Sequence, residues 1–150
     1  MIILTAELKH LDILSKLFDE YRVFYERESD IEAAKNFMKH RLENKDSVIF
    51  IALDGNGNGM GFTQLYPSFT SVGMQRMWIL NDLFVNENYR KQKVAESLLN
   101  KAEQHAKETG AFGMLLETRN TNIPAQNLYD KLGWYRDTEH TWFFKPADEM

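Results

Sequence analysis

Hydrophobic and polar positions along the chain switch between two periods, and the switches mark its elements. Residues Ile2 to Ala6 form a short apolar run that predicts a first strand. From there Leu11, Leu14, Leu17, Phe18, Tyr21, Phe24 and Tyr25 make the stripe of an amphipathic helix. Ser29 followed by Glu32 reads as a capping box that opens a second helix, whose apolar face is Ile31, Ala34, Phe37, Met38 and Leu42. Val48 to Leu53 is continuously apolar, as expected of a strand covered on both faces. The turn chemistry of Asp54 to Gly59 joins it in a hairpin to Met60–Tyr66.

Pro67 to Gly73 reads as a loop with an exposed Phe69, and Arg76 to Val85 as the next strand. A polar, basic turn follows from Asn86, then an amphipathic run from Val94 to Lys107 with Val94, Ala95, Leu98, Leu99, Ala102 and Ala106 inward, stopped by Gly110. Phe112–Thr118 is a further strand. Asn120 to Pro124 caps a last helix with Ala125, Leu128, Tyr129 and Leu132 inward, ended by Gly133. Trp134–Tyr135 and Thr138–Phe144 are expected to finish the sheet. No linker or repeat divides residues 1–150, so the pattern predicts one α+β domain: a mixed, mostly antiparallel twisted sheet of about six to seven strands with helices on both faces.

Composition narrows the function classes. An apolar fraction of 43% and a charged fraction of 27% over 150 residues suit a soluble globular domain. With no cysteine and four scattered His, neither a disulfide framework nor a metal site is expected. Nothing reaches membrane-spanning length and the N-terminal apolar run is too short for a signal peptide, so no membrane and a cytoplasmic location are expected. Net charge is −4 with a pI near 5.6, which argues against nucleic acid as a partner. Against that acidic background Arg90, Lys91 and Lys93 stand together where a strand passes into a helix. Helix N-terminal N–H groups there suit a phosphate or diphosphate. On charge pattern alone, a solvated basic turn is the slightly better explanation.

Two blocks of residues now resemble a known family. Leu83-Phe84-Val85 followed by Tyr89-Arg90-Lys91-Gln92-Lys93-Val94-Ala95, and Asn122 to Trp134 with its Asn…Ala…Leu-Tyr…Gly-Trp pattern, are similar to the GNAT superfamily of N-acetyltransferases. Arg90 and Ala95 match the first signature, whereas Lys93 stands where Gly is usual. The resemblance implies acetyl-CoA as donor and an amine acceptor. It implies that main-chain groups of Leu83, Phe84 and Val85 pair with the pantetheine arm. The main chain of Arg90, Lys91, Gln92, Lys93, Val94, Ala95 and Glu96 would hold the diphosphate, and Asn122 would steady a pantetheine amide. If position 93 needs a left-handed backbone, Lys there costs about 1 kcal/mol relative to Gly. If it does not, the ammonium lies beside the phosphates, and that second case is the expectation.

Direct attack by the amine needs no enzyme nucleophile. Tyr129 matches the family's general acid; its other reading is a core aromatic. In some members, particularly those acting on polyamines, a Glu precedes the Asp at this place; here it is Asn81, leaving Asp82 and Glu117 level as candidate bases, with a water chain as a third route. Tyr21, Arg22, Tyr25, Gln64, Tyr66 and Asn81 are the candidates for the acceptor side. Six acidic residues and two Arg between Asp19 and Glu32 form an acidic rim that suits a cationic amine or simply a solvated helix. A homodimer is expected through pairing or packing of the strand Trp142-Phe143-Phe144 across subunits, whose other reading is ordinary core. The rival readings are a non-catalytic acyl-CoA-binding module and, more weakly, a nucleotide-phosphate binder.

Overall fold

A computed structural model describes residues 1–150, which divide into two compact units, 1–117 and 118–150. In the first, β1 (Ile2–Thr5) leads through a short 3-10 turn to α1 (Leu11–Phe24) and α2 (Ile31–Asn44). Then come β2 (Val48–Leu53), β3 (Gly59–Thr70), β4 (Gln75–Val85), α3 (Val94–Glu108) and β5 (Gly113–Leu115). The strands lie in chain order, antiparallel except for the β4–β5 pair. Ile49 and Ile51 are buried with Leu14, Leu17, Met38 and Phe62 on the face covered by α1 and α2. Phe50, between them, turns to the other face, where the His105 ring of α3 lies 5.6 Å away. Helices on both faces therefore account for the unbroken apolar run of β2.

One residue in β4 changes which face its side chains serve. Gln64 pairs with Asp82 but Leu65 pairs with Leu80, so Asn81 is an extra residue, a β-bulge. Trp78 and Phe84 would share a face in a regular strand. Instead Trp78 packs at 5.0 Å from His105 of α3, and Phe84 joins the cluster beneath α1. Asp82 is thereby moved to the α1 side. β5 pairs with β4 only from Met77 to Ile79, after which the two strands have no further pairing. From Leu80 to Val85 the β4 edge on that side carries no partner strand.

Several expectations are corrected. The sheet has five strands, not six or seven. The strand expected over Phe112–Thr118 shrinks to Gly113–Leu115, and Trp134–Tyr135 and Thr138–Phe144 are not strands. Apolar composition marks a segment that wants burial, whereas a strand also needs a partner ladder. Conversely, β3 continues through Pro67 to Thr70. β2 pairing ends at Leu65, so the missing N–H of Pro67 leaves no ladder bond unmade. The cap of α2 is Asp30, accepting from the Ala33 N–H, while the Ser29 hydroxyl donates to Asp19.

Between β4 and α3 the chain makes a 3-10 turn at Glu87–Tyr89 and then two left-handed residues, Lys91 (φ 60°) and Lys93 (φ 61°). The expectation that Lys93 escapes this conformation is wrong. The turn is bolted to the β2–β3 hairpin: the Tyr89 hydroxyl donates to Asp54 Oδ2 at 2.9 Å, and Asp54 also accepts the Asn56 and Asn58 amides. In the second unit, α4 (Ile123–Lys131) is capped by Asn122, which accepts from the Ala125 N–H, and Gly133 (φ 84°) follows it. None of its residues is fully buried, so the inward face expected of Ala125, Leu128, Tyr129 and Leu132 is only half-covered. Arg136 makes a two-pronged ion pair with Asp130.

Two stability measurements follow. Lys93→Gly removes about 1–2 kcal/mol of left-handed strain and adds about 0.5–1 kcal/mol of glycine backbone entropy. Urea unfolding should show a net gain of about 0.5–1 kcal/mol; a loss would mean the ammonium stabilises the turn. The Asn58 amide, backed by the Asn58 side chain, Tyr89 and Asn56, holds the Asp54 carboxyl at about 2. A depressed acid contributes stability above its unfolded value, near 4, and loses it as pH falls toward the folded one. The melting-temperature gap between the native chain and Asp54→Asn should therefore close on acidification through that window; a constant gap would contradict the assignment.

Candidate active site

In the first unit, the bulge at Asn81 and the α1 stripe bring together a buried carboxylate and three phenols. Asp82 is 5% exposed and has no Lys or Arg partner. Its Oδ2 accepts from Gln64 Nε2 at 2.8 Å and its Oδ1 from Asn81 Nδ2 at 3.1 Å. Burial, then the charge of Asp82 and its contact with the hydroxyl, drive the Tyr21 phenol far above its ordinary value. Burial, then the same charge, push Tyr66 up to about 12. Tyr25 packs edge-on to Tyr21 with ring centroids 5.0 Å apart. Both shifted phenols stay protonated at neutral pH and can donate. The Asp82 site therefore offers one negative charge, several donors and no positive charge of its own.

The other acceptor-side and base candidates lie elsewhere. Arg22 donates to the Glu28 carbonyl in the α1–α2 connection at 3.3 Å. Glu117 is exposed, two residues past the end of β5. In the second unit, Asn122 caps α4, and the Tyr129 ring lies 6.1 Å from Trp134.

The turn between β4 and α3 has its own geometry. α2 and α4 are capped by side chains, but Lys93 gives no side-chain acceptor to the first turn of α3. An anion supplies what such an end lacks. Lys91, Gln92 and Lys93 are exposed there, and Val94 is buried. Leu83 and Val85 are half-buried on the β4 segment that has no β5 partner, beside buried Phe84. A ligand with amide groups in its arm and a diphosphate at its end, such as coenzyme A, fits an unpaired strand edge followed by an uncapped helix. Arg90 does not aim its charge there. Its Nε donates to the Val85 carbonyl at 3.3 Å, and its guanidinium lies over the Phe24 ring.

Arg90 lines a cavity of about 400 Å³ between the end of α1 and the end of β4. Asp19, Glu20 and Glu87 also border it, with Phe24 and Phe84 as its apolar wall. Glu20 Oε2 accepts from Asn86 Nδ2 at 2.8 Å, tying α1 to the turn. The sequence pattern placed Asp19 and Glu20 in an acidic rim but gave no sign of this cavity or of the Asp54–Tyr89 bond. No group of three His, Asp or Glu is arranged to hold a metal ion.

The chain is similar to known proteins. Residues 11–134 match the model of the acetyltransferase (GNAT) family. An uncharacterised N-acetyltransferase of Bacillus subtilis, YhfO, is 46% identical over 125 residues, covering 83% of each chain. A crystal structure of a probable acetyltransferase superposes with a TM-score of 0.93 at 43% identity over 98% of both chains. An aminoglycoside N-acetyltransferase solved in complex with CoA is 20% identical with a TM-score of 0.80, over 97% of this chain and 94% of that one, and shares the fold. Together, a family match over residues 11–134 and a relative 46% identical over 83% of the chain show that this chain belongs to the acetyltransferase (GNAT) family and is an N-acetyltransferase.

Proposed function

We propose that the chain moves the acetyl group of acetyl-CoA directly to a primary amine, on a small cationic molecule such as a polyamine or amino-acid derivative or on a lysine side chain. The observation that carries the acceptor class is Asp82: a buried carboxylate held by neutral donors and lacking a cation. Such a group is costly to bury alone, and an arriving ammonium offsets that cost. The acidic border of the neighbouring cavity adds attraction for positive charge. The coenzyme assignment rests on the β4 edge and the uncapped α3, and the CoA complex of a protein with this fold supports it.

Acetyl-CoA supplies an activated thioester carbonyl. Asp82 orients the ammonium and takes its proton, making the nitrogen a nucleophile. Tyr21, Tyr66, Gln64 and Asn81 surround that carboxylate and fix its geometry, with Tyr25 as a wall. Asp82 suits this role better than the exposed Glu117, because burial lets it discriminate an ammonium from water. Tyr129 gives its phenolic proton to the departing sulfur, which leaves as the thiol. Asn122 supports the pantetheine arm with whatever capacity its capping bond to Ala125 leaves. Lys91 and Lys93 add positive charge beside the diphosphate. We further propose that the protein works in the cytoplasm as a homodimer.

Asp82→Asn keeps the shape and removes the charge. Thiol release across an amine panel should fall about 100-fold or more while desulfo-CoA affinity in isothermal titration stays near native; undiminished release would move the base elsewhere. Tyr129→Phe should likewise lower turnover by about 100-fold with little change in coenzyme affinity. If it does not, Tyr129 is only a packing residue. Coenzyme binding by the native chain with no thiol release on any amine would support the acyl-CoA-binding module instead.

A further inference from the structure

The groups that hold Asp82 do not end at Gln64. Gln64 is fully buried in β3, and the two ends of its amide meet different partners. Nε2 donates to Asp82 Oδ2 at 2.8 Å, and Oε1 accepts from the Ser47 hydroxyl at 2.8 Å. Ile49 is the register partner of Gln64. Ser47, two residues before Ile49, therefore takes the diagonal position on the same face. It is half-buried, where the chain leaves α2 and enters β2.

Two polar side chains thus stand in line behind the carboxylate, each turning a proton toward its charge. The hydroxyl draws electron density from the amide oxygen, which makes the amide N–H a stronger donor. A strengthened donor stabilises the carboxylate more than the carboxylic acid. Without Ser47, the buried amide oxygen loses the donor that holds it, and the far end of the amide is free to pivot.

We propose that Ser47 is a positioning residue for acetyl transfer: through the Gln64 amide it keeps Asp82 ionised, and so able to take the ammonium proton, down to lower pH. This rests on the reading of Asp82 as the base. In the step itself an ammonium N–H bond breaks and an Asp82 O–H bond forms, while Ser47 and Gln64 keep their own protons. The other titratable and charged groups around this line are Tyr21 and Tyr25 on α1, Tyr66 on β3, and Arg41 of α2, ion-paired to Asp46 at 2.8 Å. The Tyr21 and Tyr66 phenols, raised first by burial, keep their protons across the acid range. Asp46 is the neighbouring carboxylate whose titration would imitate the effect.

The test is the pH profile of thiol release from acetyl-CoA, with the amine that the native chain turns over best. In Ser47→Ala the acid limb of kcat/KM should move to higher pH by about 0.5–1 on that scale. Ser47→Thr, which keeps the hydroxyl, should return it. In a Gln64→Leu background Ser47→Ala should move the limb no further, whereas in an Asp46→Asn background the whole displacement should persist. Release lowered equally at every pH would overturn the proposal. So would a displacement that survives Gln64→Leu or vanishes with Asp46→Asn. Carbon-13 NMR of the Asp82 carboxyl gives a readout that needs no turnover, and its titration should move upward in Ser47→Ala with the limb. A carboxyl titration that moves, beside undiminished release by Asp82→Asn, would remove Asp82 as the base and keep the hydrogen-bonded line. One that does not move would overturn the line itself, whichever group is the base.

Discussion

The unpaired edge of β4 is the constraint on which the rest of this molecule depends. A parallel strand that loses its neighbour partway leaves backbone N–H and C=O groups pointing at whatever fills the gap, and such groups must be satisfied. β5 stops at Leu115 while β4 runs on to Val85. The open backbone faces outward along the strand, and an uncapped helix begins a few residues later. Edge and helix end call for one ligand with peptide-like groups in its middle and negative charge at its tail. Side-chain identity hardly enters, so a lysine can occupy a position at which the family usually has glycine. Its left-handed backbone is tolerated because the turn is fixed from outside by the Tyr89–Asp54 bond.

The bulge at Asn81 solves a second problem with the same strand. Without the bulge, in a regular strand of the same residues, Asp82 and Phe84 would face α3, as Trp78 does. With it, they face α1, where Tyr21 crosses above them at 6.0 Å from Phe84. One bulge thus separates the proposed coenzyme and acceptor roles along a single strand: main chain at the edge, carboxylate on the α1 face. Charge follows the same division. Lys91 and Lys93 stand at the turn, whereas the Asp82 site and the cavity beside it are mainly acidic, with Arg90 spent on the Phe24 ring and the Val85 carbonyl.

Much of this was legible in the sequence, for identifiable reasons. Helical stripes located all four helices because burial on one face leaves a regular period. Turn chemistry at Asp54–Gly59 and Gly110 marked ends because few residues accept the backbone there. Tyr21, Gln64, Tyr66, Asn81 and Asp82 were named without their arrangement, which depends on a bulge that no local pattern encodes. The missed features share a cause. Pro67 looked like a loop because its tolerance depends on where β2 stops pairing, and Trp142-Phe143-Phe144 looked like a strand because hydrophobicity does not reveal its partner. The Asp54–Tyr89 bond joins residues too far apart in the chain for any local pattern to signal.

The most direct test of the coenzyme site is a crystal structure of the native chain with desulfo-CoA. The account predicts the diphosphate on main-chain amides between Arg90 and Glu96, with the pantetheine arm bonded to the β4 edge from Leu83 to Val85. A diphosphate bound elsewhere, or an arm that leaves that edge unpaired, would contradict it.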